Sequence, residues 1–308
     1  MREIAVVGAG IVGVSVAWHL QQRGHRVLLL DRRKPGRETS FGNAGMIQRA
    51  AVRPYPFPRD FGTMLRVAPN REVDIRYRVD GMFAAALPLL SYWRHSAPAR
   101  YARIIPEYAS LTALCLEAHA PMIAAAGADD LVRRDGWLQV HRRAETLDTA
   151  LAEAASDAAR FGIRYAVLDR DALAQREPHL MGEIAGAIHW LDPWTVEDPG
   201  ALVAAYAASF EALGGEFMQA ALTAIEAAGG RWQLCSDAGN VSVDAVVVAM
   251  GPWTERHTKA LGLSLPLFVK RGYHMHYHSP ESPLLHHWIL DAEMGYVLAP
   301  MRAGVRLT

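Results

Sequence analysis

The chain has 308 residues, 51% of them hydrophobic and 21% charged, and its 32 basic and 32 acidic side chains leave no formal net charge. This is the profile of a globular protein with room for about one to three domains. The charge balance argues against a nucleic-acid partner and against electrostatic capture by a membrane.

Two cysteines, Cys115 and Cys235, lie far apart in apolar-patterned segments. They read as buried free thiols of a reducing compartment, with no disulfide and no metal site. The N-terminus enters the first expected strand at once and leaves no room for a signal peptide. No apolar run approaches the roughly twenty residues that span a bilayer. The expectation is a cytoplasmic protein without a transmembrane segment, with peripheral contact at the inner face of the cell membrane left open.

Ile4-Ala5-Val6-Val7 is an apolar run fit for a buried parallel strand. It leads into Gly8-Ala9-Gly10-Ile11-Val12-Gly13, a GxGxxG, then into a helical-period stretch ending at Gly24. A second apolar run, Val27-Leu28-Leu29-Leu30, delivers Asp31. Strand, glycine turn, helix, strand and acid in this order predict a dinucleotide-binding βαβ unit. Gly8 serves the tight turn, Gly10 lets backbone approach a pyrophosphate, and Gly13 lets the helix pack on the sheet. The helix N-terminus, at Ile11 and Val12, offers unpaired N–H groups to phosphates. Asp31 is placed to accept hydrogen bonds from ribose hydroxyls. Arg32 beside it could mark a 2′-phosphate, but the retained acid would repel one.

Thr39-Ser40-Phe41-Gly42-Asn43-Ala44-Gly45-Met46 is rich in small residues that let main chain reach a ligand. Residues 49–105 are the least legible. A helix interrupted by Pro88 is expected over Met82–Trp93 and another over Pro106–Ala126, stopping at Gly127. Strands are expected at Gly136–Val140, Tyr165–Leu168 and Ala185–Trp190, a helix at Ala144–Arg160 closed by Gly162, and a small helix capped by Asp171. Asp198-Pro199 starts a further helix that runs to Leu213. Glu216–Ala221, Arg231–Ser236 and Val241–Val243 read as a meander turning at Gly229-Gly230 and Gly239-Asn240. The apolar run Ala245–Ala249 resembles the first strand and belongs in its sheet. Lys270–His278 and Tyr296–Thr308 read as antiparallel strands. His274, His276 and His278 alternate, but no carboxylate or thiolate accompanies them at ligand spacing, so no metal is expected.

Three signals now stand in order: the GxGxxG with its acid, the 39–45 stretch, and Val246-Val247-Val248-Ala249-Met250-Gly251-Pro252-Trp253. Together they resemble the FAD-dependent D-amino-acid oxidase and dehydrogenase superfamily, most closely its bacterial D-amino-acid dehydrogenase branch. Ala99-Arg100-Tyr101, the stretch from Asp198-Pro199 to Gly215, and Lys270-Arg271-Gly272-Tyr273 extend the resemblance along the chain.

The resemblance implies an α/β fold (α+β overall), with a Rossmann-type FAD-binding domain and a second, mixed-sheet substrate domain. The first is expected over 1–48, 106–130 and 192–255, the second over 49–105, 131–191 and 256–308. Gly8, Gly10 and Gly13 would sit at the pyrophosphate, Asp31 at the adenosine ribose and Ser40 at the phosphates. Ala44, Gly45 and Met46 would present backbone to the flavin, Leu222 would touch the adenine, and Gly251 and Trp253 would end the strand passing the cofactor. Some relatives attach flavin to a histidine near the position of Asn43. No histidine stands there in this chain, so non-covalent FAD is expected.

The implied chemistry is oxidation of a small D-amino acid or cyclic imino acid, with electrons passing to a quinone, a carrier protein or O2. Arg271 and Tyr273 are the candidates for holding the substrate carboxylate. The family's closing segment, rich in glycine and proline, is not reached before Arg306-Leu307-Thr308, so the sequence looks cut short. The rivals are a sarcosine- or glycine-type amine oxidase, a 2-hydroxy-acid dehydrogenase, an NAD-dependent enzyme, and a flavin-binding subunit without turnover.

Overall fold

Strand β1 (Glu3–Val7), helix α1 (Ile11–Gln22) and strand β2 (Arg26–Asp31) form the βαβ unit that the first residues predict. The computed structural model describes residues 1–71, 77, 79–267, 269, 271–278 and 284–308, without the side chains of 79, 80, 83 and 84. The chain divides into two compact units. The first comprises Met1–Asn43, Ala118–Val132 and Asp198–Arg271, and the second Ala44–Glu117, Arg133–Glu197 and Gly272–Thr308.

In the first unit, β1 lies between Ala245–Val248 and β2, and Glu216–Gln219 extends the sheet beyond β2; all three pairings are parallel. Ile4 to Val7 are all buried, which is why this strand is apolar throughout instead of alternating. On one face a three-stranded meander, Leu222–Ala228, Arg231–Ser236 and Gly239–Val243, packs Ile225, Leu234 and Val243 against Ala5, Val7 and Leu30. Helix α1 is tied to the helix Pro199–Ala212 by the Trp18 indole N–H, which donates to Ser209 Oγ at 3.0 Å. Asp198 caps that second helix by accepting from Ala201 N at 2.9 Å.

The second unit is built on a seven-stranded sheet. Its order is Met275–Tyr277, Gly304–Leu307, Tyr296–Met301, Trp288–Asp291, Trp137–His141, Gly186–Trp190 and Tyr165–Asp169. Only Trp288–Asp291 with Trp137–His141 is a parallel pair. Register aligns Tyr165, Trp190, Trp137 and Trp288 across four strands, an aromatic row at the centre of the core covered by the helix Ala144–Phe161. Gly162 ends that helix in the left-handed region, φ +64°. The opposite face packs Leu138, Val140 and Ile289 with Leu173 of the helix Arg170–Arg176.

Several local expectations are corrected. Glu216–Gln219 leaves the meander for the parallel sheet, because it extends β2 in register with Leu28–Asp31. Asp169, not Asp171, caps the short helix, accepting from Ala172 N at 2.8 Å. The expected Lys270–His278 strand shrinks to Met275–Tyr277, and Lys270 lies outside the described residues. The helix expected from Pro106 starts at Pro98, and Pro106 is accommodated inside it.

Unit boundaries also move: Met46–Ile47 pairs with Trp194–Val196, so both belong to the second unit, while 256–271 belong to the first. Finally, helical residues Pro98–Ala126, 29 in all, are long and apolar enough to cross a membrane by length and composition. Polar residues and Pro106 and Pro121 interrupt it, so it holds no unbroken apolar run.

Candidate functional site

The glycine turn is shaped by collisions that side chains would cause. Gly8 has φ +107°, and a Cβ there would strike the Ala249 carbonyl. A Cβ on Gly13 would strike the Gly8 carbonyl, and one on Gly10 would meet Ser40 Oγ at 3.3 Å. Gly8 and Gly13 are therefore set by chain packing, whereas Gly10 keeps the mouth of the turn open.

Ser40, buried to 7% exposure, accepts from Ile11 N at 2.9 Å and so replaces the cap that Gly10 cannot supply. Its hydroxyl proton is left to donate. Asp31 braces the same turn. Its Oδ2 accepts from Ala9 N at 2.6 Å and its Oδ1 from Arg33 N at 2.9 Å, with a lone pair remaining on each oxygen. Among the described residues the N–H groups of Gly10 and Val12 have no protein acceptor at this helix start. Val12 is 63% exposed, an apolar side chain left uncovered beside the turn.

Other expected residues of the first unit gather nearby. Ala220 N donates to the Asp31 carbonyl at 2.8 Å, which brings the chain leading to Leu222 past the end of β2. The ladder shifts register between Leu222 and Ala224. Arg32 lies over the Trp253 ring at 4.4 Å and pairs with Glu38 at 2.8 Å, so it is committed to structure. Gly251 has φ +53° just beyond the strand beside β1. Asn43 Nδ2 donates to the Ser40 carbonyl at 2.9 Å.

In the second unit, Ala44, Gly45 and Met46 are held through their main chain. Trp288 Nε1 donates to the Ala44 carbonyl at 2.8 Å, and Val196 N to the Gly45 carbonyl at 2.7 Å. Met46 pairs with Thr195. Tyr273 is 79% exposed; Arg271, which belongs to the first unit, is exposed as well. Sequence reading passed over Arg306, which is 3% exposed and donates from Nε to His276 Nε2 at 3.1 Å. Its only sequence signal is a charge inside the apolar strand Gly304–Leu307. His274 and His276 meet edge to face with centroids 6.0 Å apart.

The turn fits a dinucleotide: a cradle that a Cβ would fill, free helix N–H groups, a hydroxyl proton and a carboxylate with spare lone pairs. Residues 3–308 match the family model described as FAD dependent oxidoreductase (DAO). The chain belongs to this family. It is an FAD-dependent oxidoreductase, and its cofactor is FAD.

A D-amino-acid oxidase of Bradyrhizobium diazoefficiens is 30% identical over 91% of this chain and 67% of its own length. A D-amino acid dehydrogenase of Rhizobium rhizogenes is 30% identical over 99% of this chain and 74% of its own length. The chain thus spans between two thirds and three quarters of these relatives. Glycine oxidase from Geobacillus kaustophilus has the same fold, with a TM-score of 0.72 at 20% identity over 100% of this chain and 71% of that one. So does L-amino acid deaminase from Proteus vulgaris, with a TM-score of 0.66 at 17% identity over 100% and 60%.

Proposed function

We propose that the protein oxidises the C–N bond of a small D-amino acid or cyclic imino acid, giving an imine that hydrolyses to the 2-oxo acid. Non-covalently bound FAD supplies the acceptor for a hydride from the substrate Cα. The reading is carried by the Gly8–Gly13 turn, braced by Asp31 and capped by Ser40, in a chain 30% identical over nearly its full length to a D-amino acid dehydrogenase.

The residues divide the work. The N–H groups of Gly10 and Val12 and the Ser40 hydroxyl hold the pyrophosphate, and Asp31 accepts from ribose hydroxyls while bracing Ala9. Leu222 meets the adenine, and Ala44, Gly45 and Met46 line the flavin with main chain. Gly251 and Trp253 close the strand end beside the turn. Arg271 and Tyr273 bind the substrate carboxylate: both are exposed, whereas Arg306 is buried and engaged with His276. The electron acceptor is a quinone, a carrier protein or O2, and the place of action is the cytoplasm or the inner membrane face.

Anaerobic addition of a panel of D-amino acids to the FAD-loaded protein tests the reading. Bleaching of the flavin bands by at least one small D-amino acid is expected. Bleaching by 2-hydroxy acids or N-methylglycine alone would overturn it.

A further inference from the structure

Glu177 is a carboxylate with no solvent exposure, at the end of the helix Arg170–Arg176. It accepts from three donors of one short segment. His286 N reaches Oε2 at 2.9 Å, and His287 N and His287 Nδ1 each reach Oε1 at 2.7 Å. A buried charge is tolerated only when it is bonded in this way.

The surroundings are equally committed. The His287 ring packs edge to face on His189 with centroids 5.3 Å apart. His189 donates from Nε2 to the Asp135 carbonyl at 2.7 Å and receives Arg176 at Nδ1 at 2.9 Å. Burial holds its pKa below the ordinary value, so the neutral ring keeps both bonds. Sequence separations of 54 to 110 residues are closed here to fix two consecutive histidines.

The next residue is Trp288. It is fully buried, and its indole N–H donates to the Ala44 carbonyl. A peptide is planar, so pinning the Ala44 carbonyl toward Trp288 fixes the plane of the Ala44–Gly45 peptide. The Gly45 carbonyl is pinned in turn by Val196 N, and Gln48 Oε1 accepts from Trp137 Nε1 at 3.2 Å.

We propose that Trp288, anchored through His286 and His287 by Glu177, is a positioning residue that sets the Ala44–Gly45 peptide plane against the flavin. This rests on the reading that Ala44–Met46 line the flavin. Trp288 touches no reacting atom in this account; it acts through main chain.

The test compares FAD-loaded parent protein with Trp288→Phe, which keeps a ring and loses the N–H, and with Glu177→Gln. Trp190→Phe is the control, since its indole N–H serves Gln139 elsewhere in the same sheet. FAD affinity, the visible flavin spectrum and the flavin midpoint potential are measured with thermal stability. Trp288→Phe is expected to weaken FAD affinity about three- to tenfold, the factor that one hydrogen bond represents, and to shift both the flavin bands and the potential. Glu177→Gln should move both in the same direction, while Trp190→Phe keeps parental values. A Trp288→Phe protein with parental flavin spectrum, potential and affinity overturns the proposal, whatever happens to its stability. A parent that takes up no FAD overturns the underlying reading instead, and the proposal with it.

Discussion

The two backbones proposed to face the cofactor are held in contrasting ways. The Gly8–Gly13 turn is braced by Asp31 and Ser40, 22 and 29 residues away from the groups they bond. The Ala44–Gln48 segment hangs on Trp288 and Trp137, 244 and 89 residues away. The first is held by bonds from nearby in sequence, although Gly8 also packs on the distant Ala249 carbonyl. The second is tertiary, in which generic residues acquire a conformation from a distant aromatic sheet. Substitutions should therefore fail sharply at the turn and by degrees at the segment.

The largest effect is expected at Gly8. Gly8→Val forces a β-branched residue to φ +107° and into the Ala249 carbonyl. Overpacking with backbone strain costs about 3 kcal/mol or more, read as a lower urea midpoint and loss of flavin. A midpoint equal to the parent's would break the local half of the comparison. Asp31→Ala comes next, removing the brace on Ala9 and the proposed ribose acceptor. A bond to a charged group contributes about 1.5–3 kcal/mol, so FAD should bind roughly ten- to a hundredfold more weakly in fluorescence titration while the protein stays folded. For substrate, Arg271→Ala should raise KM about tenfold or more with a smaller change in kcat. Unchanged KM would remove Arg271 from the carboxylate role.

How much of this was legible follows the same division. The βαβ unit, the Asp198 cap and the aromatic-bearing strands of the second unit carry period, glycine or capping signals in a few contiguous residues, and they appear where expected. Glu216–Gln219 was misplaced because a four-residue strand carries no mark of which sheet it joins. Met46–Ile47 and Trp194–Val196 were missed because two- and three-residue strands have no period at all. At the glycine turn, the glycines and Asp31 are readable from spacing alone. The Ser40–Ile11 cap, the Trp288–Ala44 bond and the Arg306–His276 pair are not, since each depends on a contact that only the folded chain makes.

A smaller effect concerns pH. Burial lowers the pKa of His141 and His189 in the second unit, so between the folded values and the ordinary 6.5 the unfolded chain binds more protons. Their contribution to stability is complete above the ordinary value and declines as pH falls through it toward the folded values. Urea midpoints should therefore be lower at pH 5.5 than at pH 7.5, and less so in His189→Gln. A pH-independent midpoint over this range would contradict the burial argument.

The most direct measurement is the visible absorption spectrum of the purified, FAD-loaded protein under argon, before and after D-amino acids are added one at a time. The account predicts oxidised flavin bands that bleach with a small D-amino acid and return when an electron acceptor is supplied, with all colour released into the supernatant on acid precipitation. Bands that persist with every D-amino acid, or no bound flavin at all, would contradict it.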